Sequence, residues 1–186
     1  GGTLAAGGAN AINMYIDRDI DALMERTKMR PLVTGVIAPR NALIFAISLE
    51  FIAFGVLWAG ANLLSGILAI CATLFYVFVY SLWLKRTSKQ NIVIGGAAGA
   101  VPVLVGWAAV TNSVSWSAVL LFAVIFFWTP PHFWALAIRH NDDYKAAGVP
   151  MLPAVVSLRQ TTAAMVRYCI AVVVVSLVLI PVADLG

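Results

Sequence analysis

Of 186 residues, 62% are hydrophobic and only 11% are charged, with a mean hydropathy of +0.94. A soluble domain is nearer half apolar and a quarter charged, so the composition excludes an ordinary soluble fold and points to an integral membrane protein. The net charge of +4 does not form a basic patch on a soluble domain, which argues against a nucleic-acid partner.

Six apolar segments follow in chain order: a partial one at 1–16, then 41–60, 62–84, 91–111, 116–138 and 163–183. Each full segment has about 20 residues, enough for a helix to cross a hydrocarbon core of about 30 Å. Helices satisfy their backbone groups internally, whereas barrel strands would show as short alternating segments. The expected fold is therefore all-α, a polytopic transmembrane bundle forming one domain over 1–186. The chain opens inside one apolar segment without an initiator methionine and stops just after another. We expect it to be an internal piece of a longer protein, with further spans on both sides. Cys71 and Cys169 lie in apolar runs without metal-ligand spacing and read as small buried hydrophobes.

Alternating spans place loops 17–40, 85–90 and 139–162 on one side of the membrane. All twelve Lys and Arg residues are assigned to that side, Arg167 included. By the positive-inside rule this face is cytoplasmic, or the matrix face in a mitochondrion.

The first of these loops contains "NMYIDRDIDALMERTKMRP", residues 13–31, which hold eight of the chain's charged residues. Asn13, Asp17 and Asp21 recur every four residues and share one helix face, while Asp19 points elsewhere. Carboxylates so spaced repel unless a cation joins them. One or two carboxylates completed by water and substrate phosphate are a common way to hold Mg²⁺. Arg26 and Arg30 follow, and arginine forks suit phosphate oxygens. The stretch reads as a diphosphate site at the membrane surface, or as a solvated loop with local salt bridges.

Lys85 and Arg86 in the second loop could reach the same phosphates, or serve only as topological anchors. Gly95, Gly96 and Gly99 after it read as helix-packing residues. In "FFWTPPHFWALAIRHNDDYKAAGVPMLP", Pro130 and Pro131 should kink or break their span. His132 lies where an ionisable group is costly; it could ligate iron, move a proton or bond a carbonyl freed by the prolines. Asp142, Asp143 and Tyr144 close the span on the side of Asp17 and Asp21. Two carboxylate groups on one face make a plausible two-metal clamp, or a chance alignment of surface charge. Glu50 sits well inside the second span, with a partner the sequence does not name. Tyr15, Tyr80, Trp128, Phe133 and Trp134 lie nearer the acidic end. They either line an isoprenoid pocket, where an aromatic face could steady a carbocation, or simply pack the bundle.

"NMYIDRDID" followed by "RTKMRP" resembles the first aspartate-rich motif of the UbiA superfamily of intramembrane prenyltransferases. Met14 stands where many members carry the first Asp. With "KRTSKQNIVIGGAAGAVPVLVGW", "PPHFWALAI" and "DYKAAGVPMLP" in order, nearly the whole chain resembles the heme-modifying branch. The resemblance implies a nine-helix bundle with a lateral opening to lipid, of which about six spans are present here. It implies Asn13, Asp17 and Asp21 as the first metal–diphosphate motif, with Asp142 and Asp143 as further metal ligands. Arg26, Arg30, Lys85, Arg86 and Tyr144 would bind diphosphate, and His132 would be the branch's histidine after proline. Arg139 stands where a second Asp, four residues before Asp143, is usual, so a second full metal pair is not expected.

The implied reaction moves a farnesyl group from farnesyl diphosphate to a vinyl group of heme B, with water added. The product is heme O, used in heme–copper terminal oxidase biogenesis. Catalytic roles fall to Asp17, Asp21, Asp143 and His132, with Mg²⁺ as cofactor. Implied partners are farnesyl diphosphate, heme B and the lipid bilayer, with heme A synthase or oxidase assembly proteins as candidates. The implied location is the bacterial cytoplasmic (inner) membrane, or the mitochondrial inner membrane. Rival readings are prenylation of a quinone precursor or chlorophyll-type acceptor, and transport. Charge at one surface, rather than near the midplane, disfavours transport.

Overall fold

The computed structural model describes residues 1–183, which contain helices and no strand. In chain order these are α1 (Gly2–Ile16), α2 (Arg18–Leu23), α3 (Pro39–Gly60), α4 (Leu63–Thr87) and α5 (Asn91–Thr111). They are followed by α6 (Trp116–Arg139), α7 (Asn141–Ala146), α8 (Leu152–Val155) and α9 (Leu158–Val182). Five of them, α3, α4, α5, α6 and α9, are long and apolar enough to cross a membrane. All six expected segments are helical, and the first, read as partial, has 15 residues. The protein is an integral, multi-pass membrane protein.

Its surface follows from that solvent. Phe45, Phe51, Trp58, Val110, Val173 and Leu177 are exposed, which is costly in water and not in lipid. Inside, small residues let backbones approach. Ala46 and Ala53 of α3, Ala100 and Ala108 of α5 and Ala118 of α6 are fully or almost fully buried. α1 packs on α3, α3 on α4, α4 on α5, α5 on α6, and α6 on α9. Gly8 of α1 lies so close to α3 that a Cβ there would be 2.5 Å from Glu50 Oε1.

Several local features differ from the sequence expectations or go beyond them. α9 begins at Leu158, five residues before the expected 163, because Ser157 and Gln160 form a reciprocal capping box. Arg167 consequently lies within α9 rather than in a loop, with Nε bonded to the Ala163 carbonyl at 3.3 Å. α6 does not break at Pro130 and Pro131; both are buried within one helix, and neighbouring helices can support such prolines in a membrane. Phe75–Leu84 of α4 winds as a π-helix, ten residues of a geometry usually confined to one turn. Cys71 and Cys169 are exposed rather than buried.

At the end opposite the charged loops, Asn62 joins α4 to α5. Its side chain caps α4 by accepting from Ser65 N at 2.9 Å, and it donates to the Ala108 carbonyl at 2.6 Å. Asn62→Ala removes a cap, worth about 1 kcal/mol, and an inter-helix hydrogen bond worth about 1 kcal/mol. We expect a lower thermal unfolding midpoint in detergent, with membrane insertion unchanged.

Candidate active site

The site is built where α1 leaves the bundle. Asn13 and Asp17 share a face of α1, and Asn13 Nδ2 donates to Asp17 Oδ2 at 2.5 Å. Asp17 ends the helix and is fully buried, at 0% exposure. The short α2 returns Asp21 beside it, 3% exposed. Such carboxylates are stable only if paired; Asp17 draws on the second charged loop, and Asp21 on a residue further along its own. Lys85, at the end of the π-helical stretch, forms an ion pair with Asp17 Oδ2. Arg30 Nη1 bonds Asp21 Oδ2 at 2.6 Å. Arg86 forks onto Asp19 at 2.6 and 2.8 Å, donates to the Ile16 carbonyl at 3.2 Å, and lies 3.6 Å from Asp17 Oδ1. Asp17 and Asp21 are thus buried and Asp17 is paired across loops, while Glu25–Lys28 and Asp21–Arg30 pair within the first loop. Asp19 is 64% exposed where Asp17 is buried, yet the same Arg86 guanidinium reaches both.

Other expected residues are distributed unevenly. Arg26 is exposed, so only Arg30 of the arginine pair reaches an acid. Asp142 is exposed and Asp143 half-buried on α7. Tyr144 packs on a cluster of Ile20, Met24, Ile92, Ala137, Val149 and Met151. That cluster ties α2, α5, α6 and the loop after α7 into one layer, so the three charged loops do share one end of the bundle. Among the described residues, however, no three His, Cys, Asp or Glu side chains stand close enough to hold an ion. The two acidic motifs therefore do not form one ligand set by themselves. The Asn13–Asp17–Asp21 face still fits Mg²⁺ in its usual mode, with one or two carboxylates and the rest of the shell from water and phosphate. Its oxygens are hard donors, and Asp17 Oδ1 is buried without a hydrogen-bond partner.

Beneath the charged layer lies a cavity of about 840 Å³. Its wall includes Asn10, Thr73, Tyr76, Tyr80, Gly99 and Phe133. Tyr80 stacks on Tyr76 with centroids 5.4 Å apart. Gly95 packs under Tyr80, where a Cβ would run into the ring, and Gly96 packs against Thr129. Gly99 faces open space and borders the cavity rather than a neighbouring helix. Of the expected aromatic lining, Tyr80 and Phe133 are on the wall. Trp134 is buried within the bundle against Tyr168, Trp128 is exposed, and Tyr15 lies under Arg18. His132 is exposed and stacks on Trp128 at 4.3 Å, so its ring is not among the cavity residues. Glu50 has a partner after all: Thr73 Oγ1 donates to it at 3.0 Å.

The UbiA prenyltransferase family matches residues 1–186. The chain belongs to the UbiA prenyltransferase family. It is 61% identical to a protoheme IX farnesyltransferase of Parafrankia sp. (strain EAN1pec), over 100% of this chain and 59% of the relative. It is 58% identical to that of Renibacterium salmoninarum, over 97% of this chain and 57% of the relative. It is 56% identical to that of Gloeobacter violaceus, over 100% and 61%. The chain thus spans less than two thirds of the length of these curated relatives. No solved structure matches it.

For this UbiA chain, sequence alone did not reveal Asn10, Tyr76 or Asn91. The first two offered a signal in their spacing: Asn10 is three residues before Asn13, and Tyr76 four before Tyr80. Asn91 is fully buried with its amide 3.5 Å from the Lys85 carbonyl, a contact made by folding alone.

The Arg86 fork holds the Asp19 carboxyl below the usual carboxylate range, at about 2 rather than 3.8. A depressed folded pKa means that the pair contributes above pH 3.8 and is lost as pH falls through about 2. With 64% of the Asp19 side chain exposed, the energetic contribution is small. The carboxyl carbon resonance of Asp19 should titrate near 2 and move up toward the ordinary value in Arg86→Gln.

Proposed function

We propose that the full-length protein is a protoheme IX farnesyltransferase, transferring farnesyl from farnesyl diphosphate to a vinyl group of heme B, with water added to give heme O. The observation that carries this reading is a buried acid pair, Asp17 and Asp21, matched by Lys85, Arg86 and Arg30 directly above an apolar cavity. The names of the relatives support the acceptor.

Lys85, Arg86 and Arg30 are the groups that would take up diphosphate charge as the allylic C–O bond breaks. Their present partners, Asp17, Asp19 and Asp21, hold them in place for it. Asn13, Asp17 and Asp21 would hold Mg²⁺, while Asp142 and Asp143 stand apart on α7. When bound, Mg²⁺ supplies charge neutralisation for the departing diphosphate. Tyr80 would stand at the junction of charge and apolar wall, where an electron-rich ring face favours a cation. The apolar wall would keep water from the allylic carbon until the carbon–carbon bond has formed. His132, on the outer side of α6 with Trp128, is given no step. The charged end is assigned to the cytoplasmic side of a bacterial cytoplasmic membrane by the positive-inside rule. Product transfer to heme A synthase would follow from the product's chemistry.

The test uses full-length protein in membranes with farnesyl diphosphate, Mg²⁺ and heme B. Heme O is expected by mass; consumption of a quinone precursor instead would overturn the acceptor. Asp17→Ala should lower turnover by about 10²–10³-fold or more with the protein still inserted. Wild-type turnover in that variant would remove Asp17 from the site.

A further inference from the structure

The cavity wall is apolar except for Thr3 near the start of α1, Asn10, Thr73, Tyr76, Tyr80 and Thr129, and two of these are engaged with protein partners. Thr129 Oγ1 donates to the Ile125 carbonyl at 2.7 Å, and Thr73 donates to Glu50. The Asn10 amide and the hydroxyls of Tyr76 and Tyr80 are different. All three line the cavity, Asn10 as an exposed residue and both tyrosines half-buried, and their side chains form no hydrogen bond among the described residues. Asn10 lies on the face of α1 that carries Asn13 and Asp17. Seven residues at 1.5 Å each put it about 10 Å from Asp17 along the helix, toward the membrane interior. Tyr76 and Tyr80 occupy the adjoining wall on α4, stacked on one another.

Polar groups facing an apolar chamber within a membrane are costly unless a partner meets them. A carboxamide offers both a donor and an acceptor, and a phenol does the same. Such a set, between the diphosphate-binding layer and the apolar chamber, suits a small neutral hydrogen-bonding molecule. The ordered, charged groups of the diphosphate layer would not serve this purpose, because they are already engaged with each other or with substrate charge.

We infer that Asn10 and Tyr76, with Tyr80 beside them, position the water consumed in the second half of the reaction. This rests on the farnesyl-transfer reading above. In the first half, the allylic C–O bond breaks and its electron pair leaves with diphosphate. The vinyl π pair then forms the new carbon–carbon bond, leaving a cation on the carbon attached to the macrocycle. Two fates compete. A water lone pair forms a C–O bond there, one O–H proton passes to a diphosphate oxygen, and the alcohol results. Alternatively, the neighbouring CH₂ loses a proton to the same base, and the product is an alkene lighter by one water. Held by Asn10 and Tyr76, the water is oriented for capture; without them, elimination gains.

The experiment compares wild-type full-length protein with Asn10→Ala and Tyr76→Phe, given farnesyl diphosphate, Mg²⁺ and heme B, and reads the alcohol-to-alkene ratio by mass. We expect the alkene share to rise at least severalfold in both variants while total farnesylated heme stays within a few-fold of wild type. Asn10→Gln, which keeps the amide, should restore part of the alcohol. A wild-type ratio in either active variant overturns the assignment. So does loss of all product in both variants, since the groups would then serve the first half. Failure of the wild-type protein to farnesylate heme at all sinks the farnesyl-transfer reading itself, a different result from an unchanged ratio.

Discussion

A carboxylate with no exposure at the end of a membrane helix needs a cation, and Asp17 has Lys85. The two residues are 68 positions apart, so this pair is tertiary structure rather than local helix chemistry. Desolvating both charges costs several kcal/mol each, and their attraction offsets this only with good geometry and further hydrogen bonds. Asn13 supplies one of those bonds, and the Arg86 guanidinium stands near the other carboxylate oxygen. Removing any one member leaves buried charge behind. The cluster therefore constrains where α1 and α4 can stand relative to one another, and with them the mouth of the cavity.

In the same arrangement, the bases that meet Asp17 and Asp19 come from a separate loop, and the base that meets Asp21 from further along its own. If Asp17, Asp19 and Asp21 were neutralised by neighbours in sequence, their partners would move with them and say nothing about the rest of the bundle. Instead, α2 is joined to α4 by Arg86 and Lys85, and to the turn before α3 by Arg30. An apolar layer from Ile20 and Met24 to Val149 and Met151 brings in the end of α6 and the loop after α7. Charge pairing and apolar contact thus close the same end of the bundle by different physics.

What could be read from sequence divides along the same line. Span positions followed from apolar length, and the Asn13–Asp17–Asp21 face from four-residue spacing, because both are local periodicities. The burial of Asp17 and the identity of its cation were not local, so the sequence left a solvated loop open as an alternative. Glu50 looked unpartnered because Thr73 is 23 residues away. Which way the His132 ring faces depends on the rotation of α6 against its neighbours, which no local pattern carries. The start of α9 was misplaced because apolar periodicity begins after its polar capping turn. Asp143 remains apart from Asp17 and Asp21 in a single ligand set, since sharing a membrane face is a weaker condition than sharing a coordination shell.

The π-helical stretch of α4 shows how one backbone irregularity serves both the charged layer and the cavity. In an α-helix, five residues turn through about 500°, which would put Tyr80 and Lys85 about 140° apart around the axis. In a π-helix, the i→i+5 hydrogen bond brings residues five apart close to the same face. The Lys85 backbone N–H does bond the Tyr80 carbonyl, and Lys85 Nζ lies 6.0 Å from the Tyr80 ring centroid. Tyr80 can then border the cavity while Lys85, from the same face of the helix, reaches Asp17. The tight contact of Tyr80 with Gly95 fits this, because the widened turn presses the ring toward α5, where only a residue without a Cβ leaves room. An α-helical Phe75–Leu84 would have to give up either the aromatic wall or the ion pair; the π winding lets one helix supply both.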